Sequence, residues 1–266
     1  MGNIVKIKNI ILASIAAIFA IALIGYSIVK KPYDGVARHD TLIIGTTGGY
    51  APWVSVNEQG VYEGFDIDVA KALAQKMGKQ LELKDLGSMT SLLLALDQGS
   101  IDAIIWGMSI TKGRLSRIAM IRYYGETQES YPLLFWKQIP AGITGLSDMD
   151  GKTICVEPSS AQEMVLNKFE NIIKKPTEKV DDALLNLQYG KVDAALVEPA
   201  IAKKFMSKFP EIQMLDVPID VDDREHGVGV CIRPDNLTLI NDVTRAIQSL
   251  QQEKLIEGRA AYWGIP

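Results

Sequence analysis

The sequence predicts an α/β protein made of two lobes of similar construction, and three observations carry the prediction. From Thr41 onward, strand-like runs alternate with helix-like segments, the order expected of largely parallel sheets. A helix–glycine–strand unit then occurs twice at constant offset. Leu92, Leu93 and Leu96 precede Gly99 and the strand from Ile101, while Ala183, Leu184 and Leu187 precede Gly190 and the strand from Val192. Each lobe also begins with a strand that runs into small and hydroxyl residues, Leu42 to Gly49 in one and Thr153 to Ala161 in the other. Ligands of open α/β sheets bind at the carboxyl ends of strands, so function is expected at these loops.

The elements follow in order. After Lys6 and Lys8 an apolar run extends from Ile10 to Val29. At ~1.5 Å per residue it is long enough to cross a bilayer core of ~30 Å. Small residues near Gly35 to Ala37 make a poor cleavage site and no cysteine is at hand for lipid attachment, so residues 1–40 read as a signal or, preferably, an uncleaved membrane anchor with its linker. The remainder is expected outside the cytoplasmic membrane as one soluble unit. Leu42 to Gly45 is a buried strand, and Asn57-Glu-Gln-Gly60 is the turn of a hairpin. Gly64 to Gly78 reads as a helix with Ile67, Ala70, Leu73, Ala74 and Met77 on one face, Asp66 as its N-terminal cap and Gly78 as its stop. Asp66 and Asp68 are not an acid–base pair, because residues two apart on a helix point in different directions.

Composition excludes some classes. A formal charge of -4 and a pI near 5.4 leave no basic face for phosphates, so no nucleic-acid partner is expected. Cys155 and Cys231 sit in apolar runs without metal-ligand spacing and read as buried thiols. The two histidines, His39 and His226, have no suggestive neighbours and read as surface residues. No metal, cofactor or catalytic residue is expected.

The chemistry concentrates in the stretch IDAIIWGMSITKGR, Ile101 to Arg114. Its strand breaks into Trp106, Gly107, Ser109 and Thr111 and then places Arg114 just beyond the strand end. The second copy of the unit, from Gly190, ends instead in Glu198. One copy delivers a cation and the other an anion. Taken alone, Arg114 could be a solvated charge and Glu198, ahead of Pro199, the start of a helix. Tyr50, Trp53 and Trp106 read equally as core or as ligand contacts.

Gly64-Phe-Asp-Ile-Asp-Val with Leu73, Ala74 and Met77, then Ser109-Ile-Thr111-x-x-Arg114, Gly151-Lys152 and Gly227-Val-Gly229-Val, together resemble the bacterial extracellular solute-binding proteins of family 3, the amino-acid receptors of ABC importers. The resemblance runs from about Thr41 to Gly264. It implies a periplasmic-binding-protein-like fold, with residues 41–128 and 222–266 in lobe 1, residues 129–221 in lobe 2 and two crossover strands between them. It also implies a non-enzymatic monomer with two partners, a free amino acid and a membrane permease. By the same resemblance Arg114 grips the α-carboxylate beside Gly107 and Ser109, Glu198 takes the α-ammonium, Tyr50 covers the side chain, and Ser159 and Ser160 close from lobe 2.

The pattern departs from receptors for basic amino acids at Thr47, where they carry an acid, and at Met89 and Ala161. A buried unpaired carboxylate is costly, so Glu157, at a strand end facing the presumed cleft, meets either solvent or a cation, and the cation is the reading taken. The expected ligand is therefore cationic, arginine before lysine, with Glu157 on its charged end and Tyr50 or Trp106 stacked on the guanidinium. A neutral polar ligand such as glutamine is the alternative, as is a dehydratase of prephenate-like acids on the same fold.

Overall fold

Leu42, Ile43 and Ile44 form an unbroken apolar run because their strand is covered on both edges. In the computed structural model, which describes residues 40–265, β1 (Thr41–Thr46) pairs in parallel with the strands later numbered β4 and β5, and each of the three residues is at most 1% exposed. The hairpin β2 (Ser55–Val56) and β3 (Tyr62–Glu63) follows, turning at Asn57 to Gly60. Helix α1 (Phe65–Lys76) buries Ile67, Ala70, Leu73 and Ala74 as the periodicity requires.

Asp66 does not cap this helix. The N-cap is Gly64 (φ 129°), where a Cβ would stand 2.2 Å from the Trp53 carbonyl oxygen. The first turn packs inward, and Asp66 is fully buried. Its carboxyl accepts the Tyr123 hydroxyl at 2.7 Å and the Gly107 N–H, and burial raises it to about 7 against the pull of those donors. It is a strut between α1 and the loop after β5.

The repeated unit is real in three dimensions. β4 (Gln80–Asp85) leads to α2 (Met89–Asp97), capped by Ser88 and stopped by Gly99 at φ 68°, and then to β5 (Ala103–Ile104). Its counterpart is α5 (Val180–Gln188), stopped by Gly190 at φ 63°, and β10 (Ala194–Leu196). Both strands are shorter than their apolar runs, for a shared reason. Asp102 and Asp193, one residue into each run, turn their carboxylates onto the N–H of the neighbouring strand, Ile43 at 2.8 Å and Thr153 at 2.7 Å.

After α3 (Lys112–Leu115), the first sheet is completed by β6 (Ala119–Gln128) and by β12 (Glu225–Ile232), which runs antiparallel between β5 and β6, in the order β4-β1-β5-β12-β6. The second sheet has the order β11-β7-β10-β8-β9, built from β7 (Ser130–Trp136), β8 (Thr153–Val156), β9 (Ile173–Pro176), β10 and β11 (Ile212–Pro218). Helices α4 (Ala161–Leu166) and α6 (Pro199–Lys208) accompany it, and α7 (Leu237–Gln252) and α8 (Leu255–Trp263) return to the first sheet.

The chain crosses between sheets twice. Glu129 alone separates β6 from β7, and residues 219–224 separate β11 from β12. The crossings are tied together: the Ile219 N–H donates to the Glu129 carbonyl at 2.9 Å, and Arg224 pairs with the Glu129 carboxylate at 2.6 Å.

Cys155 and Cys231 are free and buried, and His226 is exposed. No helix among the described residues is long and apolar enough to cross a membrane. The Ile10 to Val29 run and His39 lie outside the described residues.

Candidate binding cleft

The first-sheet loop after β5 supplies the cation. Thr111 caps α3, accepting the Arg114 N–H at 3.2 Å, and so fixes the base of the side chain, which is only 5% exposed. Its guanidinium reaches across the cleft. One terminal nitrogen, Nη1, donates to the Ser109 carbonyl at 2.8 Å, and the other, Nη2, donates to the Ser159 carbonyl of the second-sheet loop at 3.0 Å and lies 3.3 Å from Met89 Sδ. Arg114 Nε is buried with no partner among the described residues. A planar cation held by carbonyls and left with an unused donor is suited to gripping a carboxylate.

Ser159 presents that carbonyl from a left-handed backbone, φ 62°. The conformation is fixed reciprocally. Ser159 N–H donates to Glu163 Oε2 at 2.8 Å, while Ser160 Oγ accepts the Glu163 N–H at 3.0 Å as the cap of α4. The Ser159 and Thr90 hydroxyls meet at 3.3 Å, a second contact between the two sides. Gly107 is φ 55°, and its Cβ position would stand 3.2–3.3 Å from the rings of Trp53 and Tyr50. Its N–H is committed to Asp66, so this loop presents its other groups to the cleft.

Glu198, at the end of β10, is the N-cap residue of α6 with Pro199 in the first turn, yet its side chain makes no capping bond. Its carboxyl is raised well above the usual range by burial first and then by the nearby Glu225, with the Tyr50 hydroxyl opposing as a donor. Glu157, at the end of β8, has Oε1 sealed from solvent without a partner among the described residues. Burial pushes it up to about 8, against the pull of Arg114. Tyr50 and Trp106 pack with ring centroids 4.9 Å apart and planes tilted 43°, and the indole N–H groups of Trp106 and Trp53 are buried without acceptors among the described residues.

A cavity of about 410 Å³ opens beyond this pair, lined by Tyr50, Trp106 and Thr47, by four acids, Asp85, Glu157, Glu178 and Asp181, and by a single cation, Lys179. Asp85 was not anticipated. It sits on β4 and accepts from Thr47 Oγ1 at 2.9 Å, the Gly48 N–H at 3.1 Å, Tyr62 Oη at 2.8 Å and the Gly87 N–H at 2.9 Å. Partial burial is outweighed by these donors, Tyr62 foremost, and the carboxyl is held below its usual range. A carboxylate therefore stands behind Thr47. Nothing local to Asp85 announces this, since the contact depends on the parallel register of β1 and β4, which pairs Thr46 with Asp85. Of the residues singled out from the sequence, Tyr50 and Glu157 line this cavity with Trp106 and a neighbouring one with Glu198, Glu198 shares a third with Ser109, and Arg114 and Ser159 line a fourth, while Gly107 and Ser160 line none of these.

The model of one protein family, the bacterial extracellular solute-binding proteins, family 3, matches residues 42–265. The chain belongs to this family. Along its length it is similar to the probable ABC transporter arginine-binding protein ArtJ of Chlamydia trachomatis, 29% identical over 263 residues and 98% of each chain. It is also similar to the L-cystine-binding protein TcyJ of Escherichia coli, 25% identical over 97% of each chain. Among solved structures, an ancestral arginine-binding protein bound to arginine superposes with a TM-score of 0.73 at 26% identity, covering 84% of this chain and 97% of that one. The family is one of extracellular solute-binding proteins, and its members here serve amino-acid transport by ABC importers.

Proposed function

We propose that this family member captures a free cationic amino acid, arginine before lysine, in the cleft between its two sheets and hands it to an ABC permease, without catalysis. The observation that carries the reading is the acid-rich cavity beyond Tyr50 and Trp106, whose Glu157 lies within the electrostatic reach of Arg114. A carboxylate-gripping cation stands at one end, the Tyr50–Trp106 pair in the middle, and four acids against one lysine at the other. Arginine matches that order of charges along its own length: carboxylate, ammonium, apolar stem and guanidinium. In this pose Arg114 holds the α-carboxylate with Ser109 and the Gly107 loop beside it, and Glu198 holds the α-ammonium. Glu157 meets the guanidinium, and Ser159 and Ser160 close from the far side. The arginine-binding relatives support the choice, while a cystine-binding relative covered over 97% of each chain shows that the family scaffold accepts other side chains.

Residues 41–128 and 222–266 move as one lobe in this reading and residues 129–221 as the other, hinged at the two crossings. The ligand stabilises the closed form because it bridges both sides. Residues 1–40 hold the receptor at the outer face of the cytoplasmic membrane.

Titration calorimetry of the purified full chain against arginine, lysine, citrulline and glutamine tests the assignment. Arginine is expected to bind best, with citrulline and glutamine weaker by about tenfold or more, since each loses a charge-assisted bond at Glu157. Equal affinity for glutamine and arginine refutes it, and consumption of prephenate or arogenate would move the protein to the dehydratase class.

A further inference from the structure

Glu225 belongs to no part of the pose above, yet it is 7% exposed and begins β12, the strand that returns from the second crossing. It lines a cavity of about 110 Å³ together with Ser109 and Glu198. One of its oxygens is anchored from the second-sheet side. Oε1 accepts the Tyr131 hydroxyl of β7 and lies 3.5 Å from Gln162 Nε2 of α4. No hydrogen bond reaches its other oxygen, Oε2, among the described residues, which leaves that oxygen available to accept from a ligand.

We propose that Glu225 is the second carboxylate of the ammonium subsite, so that a ligand's α-ammonium is held between Glu198 and Glu225. This rests on the reading of Glu198 as the ammonium partner. An ammonium group has three N–H donors in tetrahedral array, more than Glu198 alone can satisfy, and Glu225 offers an unused acceptor on the wall that both acids share with Ser109. The mutual repulsion of the two acids, which adds to the burial of Glu198, is relieved by the cation placed between them. Because Glu225 sits at the crossing, the same contact ties the ligand to the hinge. Selection then falls on the amino group itself: carboxylic acids that lack it meet two unpaired carboxylates.

The test compares arginine with 5-guanidinopentanoate, which keeps the carboxylate and guanidinium but has no α-amino group, on wild type and Glu225→Gln. Glutamine's carbonyl can still accept the Tyr131 hydroxyl, so the fold is expected to survive. Arginine affinity should fall by about tenfold or more in the variant while that of the deaminated analogue falls less than about twofold or rises. Equal losses for both ligands would mean a structural role, and no loss for either would remove Glu225 from the site; both overturn the proposal. Should the variant fail to fold, Glu225→Asp, which keeps the charge but shortens its reach, carries the same comparison: arginine affinity should fall by about tenfold or more and that of the deaminated analogue by less than about twofold, and equal losses or no loss overturn the proposal. If the chain prefers another amino acid, the ligand assignment falls while the same comparison, run with that amino acid and its deaminated form, still decides Glu225. Binding no amino acid at all would end both.

Discussion

Replacing Glu157 with glutamine separates a carboxylate that meets the ligand's cation from one that is merely enclosed, provided pH is varied. Oε1 of Glu157 is sealed without a partner among the described residues, and burial raises the group to about 8. The ionised form is the one that binds a guanidinium, so a raised carboxyl must first lose its proton. That step costs about 2 kcal/mol at pH 6.5 and about 0.2 kcal/mol at pH 8.5, at roughly 1.4 kcal/mol per unit. A charge-assisted hydrogen bond returns about 1.5–3 kcal/mol. At pH 6.5 the two nearly cancel, and Glu157→Gln should bind arginine almost as well as wild type. At pH 8.5 the bond is gained almost whole, and the ratio of wild-type to variant affinity should have grown roughly twentyfold. Affinity rises with pH through this window and levels off above it. Glu198 is raised too, by burial first and Glu225 next, with Glu157 a lesser cause, so most of its contribution is common to both proteins and divides out of the ratio. Calorimetric titrations at three pH values suffice, and a ratio that stays within about threefold across the range would show that no ligand cation meets Glu157.

Two further outcomes follow from the geometry. Arg114→Ala removes the buried guanidinium that bridges the Ser109 and Ser159 carbonyls and leaves a ligand carboxylate without a partner, a loss of roughly 3–5 kcal/mol; arginine binding should be undetectable by calorimetry while the unliganded melting midpoint moves less than arginine moves it in wild type. Gly64→Ala pushes a Cβ against the Trp53 carbonyl in a backbone region closed to other residues, which should destabilise by about 3 kcal/mol or more and lower the melting midpoint by about 6–12 °C in a thermal scan.

What was legible in the sequence was periodic or repeated. The apolar faces of α1, α2 and α5, their glycine stops and the two strands came through because local spacing determines which side of a helix is buried and where it must end. Even the Ile101-Asp102 and Val192-Asp193 pairs turned out to do the same work twice, each aspartate bonding the next strand's N–H. The residues that escaped depend on distant partners. Asp66 has the spacing of a cap, but its surroundings come from Tyr123 and Gly107, far along the chain, and they make it an interior strut. Asp85 reaches the cleft through strand register and Glu225 through the return crossing, neither of which a local pattern can express.

Three of the proposed ligand contacts, one for each charged group of the ligand, come from three separate elements: Arg114 from α3, Glu157 from the end of β8 and Glu198 from the end of β10. Carboxylate, ammonium and side chain are the three groups that make an amino acid's α-carbon chiral. Inverting that centre exchanges two of the three directions, so a mirror-image ligand seated on Arg114 and Glu198 sends its side chain away from Glu157. The charge layout proposed here for arginine therefore also selects the hand of the amino acid.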